Sequence, residues 1–299
     1  MKKLFGPFLF MGLLVGFATN AMALSVTPTD NGTILANTIL GSGVTIVGPV
    51  TYNGLPVQSG TFSGGLASGL GIESGIIMTS GEAALAVGPN TGGANVGLGA
   101  PGDATLTGII GSATNDAAVL EFDFTTTQNN LFFNYVFAST EYNGFVNSPF
   151  NDVFAFLLDG VNIALVPGTT QPVAINTVNG GNPFGTNATH PEFYKNNDPN
   201  DPGPSTFDLN YNGFTSVFTA QALGLTAGTH HIKLAIADTA DTILDSAVFI
   251  QAQTFSDVPV PPVPPVPGAI PEPSTWLLLG SGFAALAALR RKASRNSPQ

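Results

Sequence analysis

The sequence predicts an all-β protein, a jelly-roll-like β-sandwich of about ten strands, followed by a Pro-rich stalk and a short transmembrane sorting helix. Three observations carry the β expectation. Between residues 76 and 252 short apolar runs recur, several in strict alternation with polar residues, which is the period of a strand with one face in the core and one in water. Clusters of Gly, Pro, Asn and Asp separate the runs, in a chain of 299 residues with 36 Gly and 23 Pro, so that a turn bounds each run. Helical spacing is confined to one early stretch, which leaves sheet on sheet as the way to bury the apolar residues.

Residues 1–23 carry Lys2 and Lys3, an apolar stretch over 4–18 and the small-x-small triplet Ala21-Met22-Ala23. That order is a secretory signal peptide, and the mature chain is expected to begin at Leu24. Residues 24–256 form the expected extracellular sandwich. Its first part, to about Gly71, is rich in Gly, Thr, Ser and Asn, with one apolar patch over 34–40 whose spacing suits a two-turn helix ended by Gly41. The period then becomes two. Ile76-Ile77-Met78 reads as a short buried strand between Gly75 and Gly81, and Leu120, Phe122 and Phe124 alternate with Glu121 and Asp123 as a half-buried one.

Residues 131–138 and 153–158 are dense in Phe on both faces, as expected of central strands between packed layers. Asp159-Gly160 between two apolar runs predicts a hairpin joining 154–158 to 161–166. Residues 179–208 read as a long surface excursion. Strand character returns over 214–220, at Ile232, Leu234 and Ile236, and over 247–252. Residues 257–273 hold eight Pro alternating with Val. They are expected as a polyproline II spacer, reaching roughly 50 Å at about 3.1 Å per residue.

Charge is unevenly placed. All 19 acids lie within residues 24–275, which contain only Lys195 and Lys233 as Lys or Arg, so this region carries −17. A nucleic-acid partner is excluded, because it needs a basic footprint. Multivalent cations suit such a surface instead. With no Cys in the chain, thiol catalysis and Cys-based metal sites are excluded, and a domain of this size needs no disulfide to hold its core.

Two groups of carboxylates are the candidate metal ligands. Glu141 and Asp152 stand at the two ends of a loop joining two apolar strands, and Asp238, Asp241 and Asp245 crowd the turn between two others. Carboxylates gathered at one end of a sandwich repel one another unless a hard cation lies among them, and calcium takes six to eight such oxygens. The competing reading is that these side chains cap turns by accepting backbone N–H bonds, and a smaller share goes to a glycan-facing polar site. Enzymatic patterns are weak. No Ser stands in a Gly-x-Ser-x-Gly elbow, there is no His-Glu-x-x-His, and the adjacent His230 and His231 point to opposite faces of a strand. Gly97-Leu98-Gly99-Ala100-Pro101-Gly102 fits a nucleotide-loop pattern but is followed by no convincing helix. It reads as a plain loop. A glycosidase pair of Glu141 and Asp152 is the least favoured reading.

The tail runs Pro271-Glu272-Pro273-Ser274-Thr275, then a 14-residue apolar run from Trp276, then Arg290-Arg291-Lys292. A Trp at one end and cations at the other orient such a helix with its basic end in the cytoplasm. At 1.5 Å per residue the run reaches roughly 21 Å against a hydrocarbon core of about 30 Å. It spans only with snorkelling, local thinning or a partner protein. The order resembles the PEP-CTERM sorting signal of Gram-negative bacteria. In that family a membrane exosortase recognises Pro271, Glu272 and Pro273, the helix and the cluster Arg290, Arg291 and Lys292, and cuts near the triplet. A plain single-pass anchor is the competing reading of residues 274–299.

Within the sandwich, Phe137-Ala138-Ser139-Thr140-Glu141-Tyr142-Asn143-Gly144-Phe145-Val146, residues 150–156, 233–249, 74–81 and 208–215 resemble the choice-of-anchor L domain over about residues 60–253. Thr140 departs from that pattern, which places a second acid beside Glu141. The two resemblances imply a non-enzymatic protein, exported with signal peptidase and exosortase as partners. It would be held transiently in the inner membrane and then carried to the cell surface or extracellular matrix, with extracellular polysaccharide as a further partner. A calcium-dependent carbohydrate-binding module is the alternative, and a secreted glycan-active enzyme the third. Ca2+ is the one cofactor considered.

Overall fold

A computed structural model of the chain describes residues 23–203 and 207–262. Residues 1–22 of the expected signal peptide, the Pro-rich segment beyond Pro262 and the whole sorting tail lie outside the described residues.

Among the described residues thirteen strands form two sheets. In chain order they are β1 (Ser25–Pro28), β2 (Val44–Asn53), β3 (Ser59–Ser63), β4 (Gly75–Thr79), β5 (Thr114–Thr126), β6 (Asn130–Ser139), β7 (Val153–Leu158), β8 (Val161–Asn162), β9 (Tyr194–Asn196), β10 (Gly213–Thr215), β11 (Phe218–Leu223), β12 (His230–Thr239) and β13 (Ser246–Gln251). The first sheet runs β1-β3-β4-β13-β6-β10-β9, with β11 on the other half of the long β6; the second runs β2-β5-β12-β7-β8. From β4 onward the strands pass between the sheets so that β4-β13-β6-β11 faces β5-β12-β7-β8. That is the jelly-roll arrangement of two interlocked Greek keys.

The main core lies between the sheets. Phe156 of β7 packs on Phe133 and Tyr135 of β6 at ring separations of 4.8 and 5.0 Å, and Phe255 fills the space beside Phe122, Phe124 and Phe133. Edge-to-face packing of this kind adds to the burial of the rings themselves. Two further layers cover the outer faces. Leu70, Ile72, Leu209, Tyr211 and Phe214 pack on the outward residues of β4, β6 and β13. Leu106 and Ala174 pack on those of β5, β7 and β12. Hence β6 from Leu131 and β7 throughout are buried on both faces, as their Phe content predicts.

The early helix appears as α1 (Gly32–Ile39), capped by the Asn31 side chain on the Ile34 N–H at 3.1 Å and ended at Leu40. Gly41 has a different job from the expected one. A Cβ there would lie 2.5 Å from the Gln253 carbonyl oxygen, so Gly lets the chain press against the segment after β13. Several expectations are corrected. Three strands, β1 to β3, occupy the region read as Gly- and Thr-rich with only a helix; β2 is broken by a register shift at Gly48-Pro49, where Gly48 has φ 73°. A second helix, α2 (Ala104–Ile110), follows Gly102. The Asp103 carboxylate caps it on the N–H groups of Thr105 and Leu106, and Gly111 ends it at φ 75°.

The hairpin is present, with Leu158 opposite Val161, but its second strand stops at Asn162 because the chain then folds back to bond Leu165 with Pro172. Residues 214–220 split into two strands, where the Thr215 hydroxyl takes the Phe137 N–H at 3.1 Å in place of a backbone partner. The described part of 179–208 runs over the surface for most of its length, as expected, but it is anchored by four buried residues, Asn179, Gly180, Gly181 and Asn197. Asn179 and Asn197 are fully buried, Tyr194 packs on Tyr142 with the rings tilted at 58° and 5.0 Å apart, and β9 pairs with β10. Past β13 the chain stays on the sandwich at least to Val260, whose carbonyl accepts from Asn134 at 2.8 Å, with Asp257 buried.

Candidate functional site

At one end of the sandwich the C-terminal ends of β4, β6 and β12 meet the N-terminal ends of β5, β7 and β13. The five candidate carboxylates are all there. Glu141 follows β6, Asp152 precedes β7, Asp238 is the penultimate residue of β12, and Asp241 and Asp245 lie between β12 and β13. Glu141, Asp152, Asp238 and Asp245 are each at most 1% exposed, and Asp241 is half-buried. A sixth carboxylate, Asp116, joins them from β5. It stands at φ 50° where β5 and β12 shift register, a bulge that aims its side chain inward.

Some of these oxygens have structural work. Asp152 accepts the Thr239 N–H at 2.8 Å and the Ser246 hydroxyl at 2.7 Å, tying the start of β7 to β12 and β13. Asp116 accepts from the N–H groups of Leu98 and Ala100, which pins the Gly97–Gly102 loop to the sandwich. One oxygen of Asp245 accepts the Val96 N–H at 3.1 Å, and Gly81 lies so close that a Cβ there would be 1.9 Å from that carboxylate. Turn capping therefore describes Asp152, Asp116 and half of Asp245.

It does not describe the rest. Both oxygens of Glu141, both of Asp238, Oδ1 of Asp241 and Oδ1 of Asp245 are buried with no hydrogen-bond partner, together with the hydroxyls of Thr140, Tyr142, Tyr211 and Thr239. Among the described residues every unpartnered buried side-chain polar atom lies at this end, and all are oxygens. Among the described residues no cationic side chain is paired with them. Lys233 pairs with Asp103 at 2.6 Å and Lys195 lies over the rings of Phe207 and Phe214, while His190, His230 and His231 are each paired with carboxylates outside the cluster.

The electrostatic result is a set of carboxyls that resist ionisation. Burial, then the charges of Asp152 and Asp241, push Glu141 up to about 9. Burial, with Asp116 and Glu82 nearby, pushes Asp245 up to about 7. Burial and the Asp152 charge raise Asp238, and burial raises Asp152 and Asp241 as well. As the side chains stand, no three carboxylate or imidazole groups among the described residues are arranged to hold a metal ion. What sequence reasoning missed here is Asp116, whose inward aim comes from a bulge, and the hydroxyls of Thr140, Tyr142, Tyr211 and Thr239. Thr140 was visible only as a departure from a family pattern.

A family model described as Choice-of-anchor L domain matches residues 25–256, and one described as PEP-CTERM protein-sorting motif matches residues 269–292. No curated protein and no solved structure matches the chain.

Proposed function

Because the chain belongs to the choice-of-anchor L family and carries the PEP-CTERM motif of an exported, exosortase-processed protein, we propose that it is a non-enzymatic surface or matrix protein whose tail is cut away. In this reading a signal peptide directs export across the inner membrane of a Gram-negative bacterium. The apolar run from Trp276 holds the chain there, and exosortase then cleaves near Pro271-Glu272-Pro273. The observation that carries it is the order of parts in the tail: stalk, triplet, a 14-residue apolar run too short to span unaided, and a basic cluster. Losing that run removes nearly all membrane affinity, so the sandwich would leave the inner membrane. A non-catalytic role is supported by the burial of Glu141 and Asp152, the one carboxylate pair considered for glycoside hydrolysis. A sugar cannot reach either side chain while the loops stay as they are.

The test is the mass of the mature protein recovered from its own cells. We expect a chain that begins near Leu24 and ends near Pro273, without residues 274–299. An intact peptide 292–299 on most of the mature protein would leave a plain membrane anchor and overturn the proposal.

A further inference from the structure

We infer that the buried end of the sandwich between the β6–β7 and β12–β13 loops is a binding site for a divalent hard cation, calcium, with Glu141, Asp238 and Asp241 as its main ligands. Asp245 and the hydroxyls of Thr140 and Thr239 stand beside them. The inference does not depend on the fate of the tail.

The argument begins with the cost of the arrangement. A buried carboxylate needs either hydrogen-bond donors or an opposite charge, and an isolated one is among the most expensive groups a core can hold. Asp152 and Asp116 show how this chain meets that need, because each has a donor on both of its oxygens. Glu141 and Asp238 have no hydrogen bond of normal geometry on either oxygen although they are 1% and 0% exposed, with the Ser80 side chain and Asp152 as polar neighbours of Asp238. The only Lys residues of the described chain are committed elsewhere. Glu141 and Asp238 can therefore be held ionised only by a charge from outside; without one they keep their protons, as their raised pKa values indicate.

The chemistry of the unpartnered atoms selects the ion. They are carboxylate and hydroxyl oxygens with no nitrogen or sulfur among them, a set that suits a hard cation and not zinc or copper. Magnesium demands near-ideal octahedral geometry at short distance, whereas calcium accepts six to eight oxygens in irregular arrangements. Irregularity matters here because three acidic ligands do not converge as the side chains stand. Binding must therefore draw in Glu141, which has three rotatable bonds, and the half-buried Asp241. A site that assembles on binding is weak, in the range of about 10⁻⁴ to 10⁻³ M typical of extracellular modules. Thr140 fits this picture, since a hydroxyl where a second acid is expected lowers the ligand charge without removing an oxygen.

The experiment uses the full chain in mild detergent after treatment with chelator. Terbium, a luminescent stand-in for calcium, is excited through tyrosine, because the Tyr142 and Tyr211 hydroxyls lie in the cluster. We expect sensitised emission that millimolar calcium displaces and equal magnesium does not, and a melting temperature several degrees higher in calcium than in chelator. Glu141→Gln and Asp238→Asn should each weaken the calcium response at least tenfold. Asp30→Asn, in the exposed segment between β1 and α1, should leave it unchanged. If emission does not rise and wild-type melting is the same in excess calcium and in chelator, protons neutralise the cluster and the inference is wrong. It is equally wrong if the calcium response survives undiminished in both variants, since the ion then binds elsewhere.

Discussion

His230 is the residue whose charge the structure decides most directly. Its Nδ1 lies 2.6 Å from an Asp159 carboxylate oxygen and its Nε2 lies 2.8 Å from the Thr226 carbonyl. Both neighbours are acceptors, so both contacts are satisfied only when both ring nitrogens carry a proton, and the site favours the cation. The hydrogen bond to Asp159 raises the His230 pKa. Against the opposing effect of burial, bonds from the His231 N–H and the His230 side chain hold Asp159 below its usual range. The signs follow from linkage. His230 contributes stability that is full below its unfolded pKa of about 6.5 and is lost as pH rises through the raised folded value; Asp159 contributes above about 3.9 and loses it as pH falls through the lowered one. Melting of wild type and His230→Gln should therefore differ most near pH 5 and converge as pH passes well above about 6.5. A difference that stays constant across that range would mean the ring contributes by shape alone. The neighbouring His231 is half exposed beside Asp123 and Glu121. The two adjacent imidazoles thus stand in unlike surroundings, as their alternation along a strand implies.

At the scale of elements, α2 explains why some segments escape sequence reading. Its residues, Ala104 to Ile110, include two Thr, two Ile and Gly108, none of them a strong helix former. The helix exists because Asp103 caps it, Leu106 is buried under the second sheet, and Gly111 supplies the left-handed end. Gly108 has open space where a Cβ would go. Gly108→Ala should thus raise stability by about 0.5–1 kcal/mol in a denaturant titration, since it removes chain entropy from the unfolded state without a clash. A loss of stability would show that α2 packs more closely than the structure has it. The β7–β8 hairpin is the opposite case. Asp159 and Gly160 have φ of 48° and 83°, the paired positive values that a two-residue turn between twisted strands requires, and the Asp-Gly signal conveys this without tertiary help.

For the whole molecule, stability rests on aromatic packing across the two sheets. Phe156 touches Phe133, Tyr135 and Phe154 at ring separations of 4.8, 5.0 and 5.1 Å and is fully buried. Phe156→Ala should cost about 3–5 kcal/mol through lost burial and the cavity left behind. Urea unfolding monitored by circular dichroism would measure it, and a cost under about 1 kcal/mol would mean that the sheets close over the gap. The end of the sandwich with the carboxylates is built differently. There the jelly-roll connections bring β4, β6, β12 and their partners to one place, and polar atoms fill the space that rings fill elsewhere.

Much of this was legible in residue order alone. Alternation at Leu120, Phe122 and Phe124 placed β5, Phe on both faces marked β6 and β7 as buried, and Asp159-Gly160 set the hairpin. These signals are local, because side-chain period and turn chemistry act over a few residues. The five carboxylates could be named as a group because each stands beside an apolar strand whose end is readable. Tertiary structure alone decided the sheet order, the strands β1 to β3 and the burial of residues around Asn179 and Asn197. Each depends on what lies opposite in space. It alone also separated Asp152, with a donor on each oxygen, from Glu141 and Asp238, with no hydrogen bond of normal geometry on either. A carboxylate's partners come from segments nearly a hundred residues away, and residue order carries no record of which of them will face it.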